Sequence, residues 1–279
     1  MPIHDQSYRR YGGHRDMPGR AWAVIAWPGI KAMVKKRIFI GLLIFAWIPF
    51  IVRAVQIYIA ANFPQATMLA PTSETFRQFI EQQGVFVFFV TIYVGAGLIA
   101  NDRRANALQI YLSKPLMRIE YIAGKLAILM AFLLAVTLVP GILLLVLQVL
   151  FAGSFTFLRA NLFLFPAITL ASLLQVLLSS FTMLALSSLS NSSRYVAILY
   201  AGAVFFTQAL YGALMAITGS TAISWMSFTA NLAQVIDVIF RMKPRYDTPW
   251  VVSFLVIVGL IVLSLSILER RVRGVEVVT

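Results

Sequence analysis

Six long apolar stretches, separated by short polar segments, constrain this chain more than any other feature. They cover residues 38–58, 85–100, 122–150, 162–189, 195–218 and 250–268. A helix needs about 20 mainly apolar residues to cross the hydrocarbon core of a membrane. Because backbone amides find no water partners in lipid, a spanning stretch of this kind must be helical. We therefore predict an all-α integral membrane protein with six transmembrane helices.

The composition agrees with this class and limits the chemistry. Of the 279 residues, 60% are hydrophobic and 12% are charged, whereas soluble domains average roughly 45–50% and about 25%. The chain has no cysteine, and His4 and His14 both lie in a polar N-terminal tail. Thiolate metal sites and His-based catalysis within the membrane are therefore excluded. We predict no metal, no cofactor and no enzymatic activity in this chain.

The basic residues predict the orientation. The net charge of +13 is compatible with nucleic-acid binding or with the excess of Lys and Arg in the cytoplasmic loops of membrane proteins. With the N-terminus inside, 17 of the 23 basic residues fall in segments on the cytoplasmic side. We therefore expect both termini in the cytoplasm and no nucleic-acid partner. Arg241, Lys243 and Arg245 are an exception on the outer side, for which an acidic lipid or a partner would account.

Four regions follow from this pattern. Residues 1–20 are predicted to be a flexible cytoplasmic tail, 38–268 a six-span membrane domain and 269–279 a cytoplasmic C-terminal tail. Residues 21–37 favour an interfacial elbow helix in contact with membrane lipids, or alternatively a disordered basic tail. The basic residues of the elbow are Lys31, Lys35, Lys36 and Arg37.

Two outer segments show helical periodicity. The first follows Pro71 and places Phe76, Phe79 and Ile80 on one face, so we expect it to rest on the bilayer surface. The second lies before the last span and is predicted to be an outer amphipathic helix, either at the interface or re-entrant. Its apolar positions are Leu232, Val235, Ile236, Ile239 and Phe240.

The spans lack the groups that drive ion-coupled transport. None of the ten acidic residues falls near the middle of a predicted span, which argues against a proton- or sodium-driven carrier. The chain also has no phosphate-binding loop of the G-x-x-x-x-G-K-[ST] type, so energy for transport must come from elsewhere. Gln208 and Tyr211 share a helix face and form a candidate translocation surface, or alternatively they make hydrogen bonds between helices.

The largest polar island between the spans is residues 101–125, which read NDRRANALQIYLSKPLMRIEYIAGK. Five bases and two acids accompany apolar residues at steps of three and four, as on one helix face. The pattern predicts a short amphipathic helix, or two separated by Pro115, held beside the membrane. We expect a soluble protein to dock there; the alternative is that the island lies on the bilayer. The apolar positions are Leu108, Tyr111, Leu112, Leu116, Ile119 and Ile122.

The order of residues in this island resembles the permease subunits of type-2 ABC transporters, the ABC-2 family. The chain departs from the family pattern at Ala105-Asn106-Ala107, where Gly-Thr is common, and at Asp102, where Glu is usual. The sequence-specific likeness covers residues 101–125, and the layout of spans and amphipathic segments covers most of the chain. The matching positions are Asp102, Leu108, Leu112, Ser113, Pro115, Arg118, Gly124 and Lys125.

The resemblance implies the membrane part of an ATP-driven exporter in a bacterial or archaeal cytoplasmic (inner) membrane. Two permease subunits, as a homodimer or with a close paralogue, would each dock on a separate ATP-binding ABC subunit through the island. One alternative is an ATPase-coupled membrane scaffold that passes no substrate. A membrane enzyme acting on lipids is disfavoured by the lack of acid and base groups in the spans. The implied coupling residues are Asp102, Arg103, Arg104, Leu108, Tyr111, Leu112, Lys114, Pro115 and Arg118.

Overall fold

The computed structural model describes residues 21–63, 65, 70–107, 117–152, 159 and 161–272. Regular structure within these residues is entirely helical. A short π-helical segment, Thr91–Gly95, and a 3₁₀ turn, Ser224–Met226, accompany the α-helices. The α-helices are α1 Ala21–Val34, α2 Arg37–Ala46, α3 Ile48–Asn62, α4 Ser73–Val90, α5 Ala100–Arg104, α6 Arg118–Val136, α7 Leu138–Ala152, α8 Leu164–Leu189, α9 Ser193–Thr218, α10 Phe228–Ile239 and α11 Trp250–Arg271.

Six helical stretches in the described part of the chain are long and apolar enough to cross a membrane, which confirms the predicted number of spans. They are Arg37–Asn62, Ser73–Arg104, Arg118–Phe151, Leu164–Leu189, Ser193–Thr218 and Trp250–Arg271. Successive spans alternate in direction. We call the end near residues 37, 104, 118, 189, 193 and 271 the tail end, and the end near 62, 73, 152, 164, 218 and 250 the distal end.

Two of the spans are interrupted near a proline. The first is divided at Trp47, two residues before Pro49, and the third at Thr137, three residues before Pro140. Proline lacks an N–H and its ring clashes with the carbonyl four residues back, so it kinks or breaks a helix at this distance. Both interruptions therefore follow from a proline within the span.

The second, third and fourth spans form the centre of the bundle. In the most apolar part of each, 56% of the residues are buried, against 11% in the first span and 22% in the fifth and sixth. The central spans approach closely at Gly95, where an added Cβ would lie 2.4 Å from Cγ of Met183 and 3.0 Å from Cδ2 of Leu129. The peripheral spans therefore present most of their apolar surface to the surroundings.

The first outer segment does not form the separate surface helix that we predicted. The helix that begins at Ser73 continues without a break into the second span, and Phe76, Phe79 and Ile80 are buried among the side chains of neighbouring helices. Their apolar face remains in helical register with Val87, which is also buried. One continuous helix therefore buries the whole apolar stripe.

The second outer segment forms α10, which lies among α4, α8, α9 and α11. Val235 and Ile236 are buried as the apolar stripe predicts, but Asn231, Gln234 and Asp237 on other faces are buried too. The bundle therefore encloses this helix on several sides.

The N-terminal region contains α1, which ends at Val34, before the three basic residues that precede and open α2. The four basic elbow residues are exposed. The helix packs closely against α6, because an added Cβ at Gly124 would lie 2.8 Å from Cβ of Ile25 and 2.9 Å from the carbonyl oxygen of Trp22. Its location at a membrane interface stays a prediction.

Candidate functional site

The two ends of the polar island meet at the tail end of the bundle. Nζ of Lys125 lies 2.7 Å from Oδ2 of Asp102, and the Tyr121 hydroxyl donates to the same oxygen at 2.7 Å. The lysine and aspartate side chains are only 10% and 18% exposed, so the ion pair is screened less than a surface pair. Asp102, Tyr121 and Lys125, here called the tail-end triad, join the start of the island to the first turns of α6.

The backbone between α4 and α5 is irregular and is held by one serine. The π-helical segment and the turn after it interrupt the usual helical hydrogen bonds. Oγ of Ser187, on α8, accepts from the amides of Ile99 and Ala100 at 3.1 and 3.0 Å and donates to the carbonyl of Ala96 at 2.9 Å. Segments of π-helix are frequent at functional sites. We call residues 91–100 with Ser187 the α4–α5 junction.

Four of the nine predicted coupling residues lie in the described part of the chain, and one of these, Asp102, belongs to the tail-end triad. Arg103 donates to the backbone carbonyl of Ser188, and so reinforces the attachment of α5 to α8. Arg104 and Arg118 are exposed on either side of the island. The remaining predicted coupling residues lie outside the described residues, namely Leu108, Tyr111, Leu112, Lys114 and Pro115.

The predicted pair on the fifth span contacts the outer segment. Oε1 of Gln208 accepts from the hydroxyls of Ser227 and Thr229, both at 2.6 Å. Tyr211 is buried, and its ring meets that of Tyr246 edge-on with 5.8 Å between centroids. These contacts connect α9 to the start of α10 and to the loop after it. The role of Gln208 and Tyr211 as a translocation surface stays a prediction.

A network of five charged side chains occupies the distal end. Asp237, 3% exposed, accepts two hydrogen bonds from Arg245 at 2.8 Å and one from Arg77 at 3.2 Å. Glu81 accepts from Arg245 at 2.7 and 3.2 Å and from Arg77 at 3.0 Å. Glu74 lies 3.7 Å from Arg77. We call these five residues the distal ion cluster.

The distal ion cluster corrects one expectation about the outer basic residues. Arg245 is neutralised within the chain rather than by a lipid or partner, and the guanidinium of Arg241 lies 4.5 Å from the centroid of the Phe163 ring. Hydrogen bonds from Arg245 to Asp237 and then to Glu81 raise its pKa above the ordinary value for arginine. Arg245 therefore stays charged.

The loop that carries Arg245 is fastened to α10 by a buried glutamine. Nε2 of Gln234 donates to the carbonyls of Tyr246 and Thr248 at 2.9 and 2.6 Å, and Oε1 accepts from the Tyr246 amide at 3.2 Å. The sequence pattern did not predict that Gln234 and Asp237 are buried and hold the loop that carries Arg245. Their spacing of three residues, opposite the apolar stripe, was the available signal.

A cavity of about 390 Å³ lies between α4, α8, α9 and α10. Ligand sites commonly enclose about 300–1,000 Å³ and combine apolar walls with a few polar groups. Here Glu81 and Arg245 contribute charged groups, whereas Gln175 and Ser179 of α8 contribute buried polar groups. Most of the remaining wall is apolar. The cavity therefore has the size and composition of a site for a small amphipathic molecule.

No family model matches the chain. A search of curated proteins also found no match. The likeness to the ABC-2 family is therefore limited to the resemblance of residues 101–125 and to the layout of the spans.

Proposed function

We propose that this chain is the permease subunit of an ATP-driven exporter of the ABC-2 type, with ATP hydrolysed by a separate subunit. The observation that carries the proposal is the connection between the island and the cavity. The tail-end triad joins the island to α5 and α6, and the α4–α5 junction joins α5 to α4 and α8. Residues of α4 and α8 in turn form walls of the cavity.

These connections provide a route by which a docked ATPase changes the cavity. A force on the island moves α5 and the start of α6 together, because the ion pair between Asp102 and Lys125 links them. The irregular α4–α5 junction provides the place where α4 changes direction relative to α8. Because α4 carries Glu81 and Gly84 at the cavity wall, its displacement alters the shape and access of the cavity.

The distribution of charge supports a cytoplasmic location for the tail end. Among the described residues, eleven basic and three acidic side chains belong to the tail end, against six basic and four acidic at the distal end. An excess of Lys and Arg marks the cytoplasmic side of a membrane protein. We assign both termini to the cytoplasm of a bacterial or archaeal cell, with the protein in its inner membrane and α1 as the interfacial elbow.

The peripheral fifth span supports association with a second permease subunit, identical or closely related. Phe205, Phe206 and Ile217 of α9 are 60%, 67% and 81% exposed. Large side chains that lie outside the bundle are covered by lipid or by another chain. In the proposed exporter, a second subunit covers part of this surface and lipid the rest.

The cavity favours an exporter over the alternative of a scaffold that passes no substrate. A scaffold needs the connection between the island and the bundle but has no use for a largely apolar cavity with buried polar groups. The cavity lies between the helix that would move, α4, and the helix that holds it, α8.

The docking proposal predicts the effect of charges on the apolar face of the island. Leu108→Asp or Tyr111→Asp should remove the ATP-binding subunit, because an aspartate in a docked apolar anchor is left desolvated without a partner. The tagged chain is purified from membranes of its own cell, and the co-purifying ATP-binding polypeptide is detected by photolabelling with 8-azido-ATP. We expect at least about a tenfold loss of labelled partner for either variant.

Gln109→Asp is the matched control, since residue 109 is polar and is not one of the predicted apolar positions, and the introduced charge is the same. It should retain the labelled subunit. Wild-type labelling of both Leu108→Asp and Tyr111→Asp, with intact expression in the membrane, would contradict the coupling function of the island.

A further inference from the structure

The cavity is elongated along α4 and opens towards the side of the bundle. Its wall follows α4 from Ile80 to Phe89, a distance of roughly 13 Å at 1.5 Å per residue. Three wall residues, Val85, Phe89 and Phe205, are also 58%, 51% and 60% exposed on the bundle surface. These three exposed wall residues are apolar, which favours entry of a ligand from the hydrocarbon phase beside them.

A buried glutamine with an unpaired acceptor lies in the wall of this space. Gln175 is 4% exposed, and its Oε1 has no hydrogen-bond partner among the residues that the structure describes. Gly84 faces Gln175, since an added Cβ at Gly84 would lie 3.2 Å from Nε2 of the glutamine. A buried acceptor without a partner is unfavourable, so a donor group on a ligand is stabilised there.

The directly paired charges of the distal ion cluster sum to one negative charge. The distal ion cluster contains three carboxylates and two guanidiniums in direct contact. Arg53 reaches it only through the amide of Gln78, which donates to Glu74. One negative charge therefore lacks a directly paired arginine. Glu81 is the carboxylate of the cluster that lines the cavity, and its side chain is 46% exposed.

Both acceptors lie within reach of one ligand group. Glu81 and Gly84 are three residues apart, hence neighbours on one face of α4, roughly 5 Å apart. Gln175 lies against Gly84. Glu81 already accepts from Arg77 and Arg245 but keeps an exposed edge. An ammonium group supplies the positive charge that the cluster lacks and an N–H donor for the unpaired acceptor of Gln175.

We propose that the cavity binds an amphipathic amine, with its ammonium between Glu81 and Gln175 and its apolar part against Phe88, Phe89 and Phe205. The aromatic rings provide apolar contact and favourable interaction with the positive charge. That such an amine is also the exported substrate rests on the proposed transport function. Its binding does not, because binding requires neither ATP nor an ATP-binding subunit.

Equilibrium binding of radiolabelled dodecylamine to the purified chain in phosphatidylcholine nanodiscs tests the proposal. We expect saturable binding at pH 7 beyond that of empty nanodiscs. Dodecanol and dodecanoate have the same chain without the cation, and each should compete at least about tenfold more weakly than unlabelled dodecylamine.

Variants then assign the binding to this cavity. Glu81→Gln should weaken dodecylamine binding by about tenfold or more, and Gln175→Leu by about threefold to tenfold. Gly84→Leu should abolish saturable binding, because the new side chain fills the space beside Gln175. Asp247→Asn is the matched control: it neutralises an exposed carboxylate of the distal end that belongs neither to the distal ion cluster nor to the cavity wall, and should stay within about twofold of wild type.

Three results would overturn the proposal: binding no greater than in empty nanodiscs, competition by dodecanol or dodecanoate equal to that of dodecylamine, or wild-type affinity in Gly84→Leu. If Glu81→Gln does not fold, Gln175→Leu and Gly84→Leu decide the matter. If the wild-type chain does not bind the amine although the ATP-binding subunit still co-purifies with it, this inference alone is refuted. Amine binding without such a subunit supports it and refutes the transport proposal.

Discussion

Asp237 illustrates how one residue organises the distal end. Its side chain is buried and receives hydrogen bonds from two arginines that are 160 and 8 residues away in the chain. A buried carboxylate is tolerated only when it is paired and hydrogen-bonded. Through these contacts Asp237 connects α4, α10 and the loop before α11, and so holds Arg245 beside the cavity wall.

This arrangement predicts a large effect for a small change. Asp237→Asn keeps the shape of the side chain but leaves Arg77 and Arg245 with one carboxylate fewer. We expect the free energy of unfolding to fall by about 3 kcal/mol, the low end for a broken buried ion pair, because Arg245 is 29% exposed. Denaturant titration in mixed micelles measures it.

The control is Glu74→Gln, whose side chain is 52% exposed and whose ion pair with Arg77 is long at 3.7 Å. A solvent-exposed pair of this kind contributes about 0–1 kcal/mol. Equal stability losses in Asp237→Asn and Glu74→Gln would show that the buried carboxylate does not hold the cluster together.

At the level of elements, the second span differs from the others in its internal structure. It passes from α4 through a π-helical segment and a turn into α5, and the hydroxyl of Ser187 from α8 binds two amides and a carbonyl at the turn. Gly95 ends the π segment at the closest approach of the three central spans. The junction therefore depends on close packing as well as on Ser187.

We predict that Gly95→Ala destabilises the protein by about 1–3 kcal/mol, because the new methyl group overlaps Met183 and Leu129. Gly202→Ala is the matched control, since a Cβ there meets no atom within 4 Å and α9 should gain stability from alanine. Thermal unfolding midpoints in the same detergent compare the two variants.

A double variant separates overlap from other effects of alanine. In a Met183→Ala background, the added methyl group has room, so Gly95→Ala should cost less than it does in the wild type. An unchanged cost would exclude contact with Met183 as the cause.

For the molecule as a whole, charge asymmetry decides the expected orientation. Short connections at the tail end carry the excess of basic residues, whereas the longer distal segment contains basic residues that are partly neutralised by its own acids. The positive-inside rule applies most strongly to short loops. The paired Arg245 therefore removes an objection to placing the distal end outside.

The absence of cysteine from the natural sequence allows a direct test of this orientation. Asn191→Cys and Lys243→Cys place single thiols at exposed positions of the tail and distal ends. A membrane-impermeant maleimide added to intact spheroplasts should label Lys243→Cys and not Asn191→Cys, and both should react after permeabilisation. The reverse pattern would invert the assignment and remove the docking segment from the cytoplasm.

The sequence by itself determined the six spans and, except for the start of the second, their approximate ends, and it places Pro49 and Pro140 where two spans are interrupted. Each of these depends on the transfer of a local segment into lipid or on the missing N–H of one residue. It also indicated the island, because a polar interruption is visible between apolar runs. The likeness to a family came from the same 25 positions, 101–125.

Only the tertiary structure decided which residues meet. The shared face of Phe76, Phe79 and Ile80 predicts a helix on the bilayer surface, but packing of these side chains against other helices joins it to the second span instead. The contacts of Glu81 with Arg245, 164 residues apart, and of Ser187 with the α4–α5 junction leave no mark in local periodicity. The cavity arises where four helices fail to fill a space, and that depends on their mutual packing rather than on any single segment.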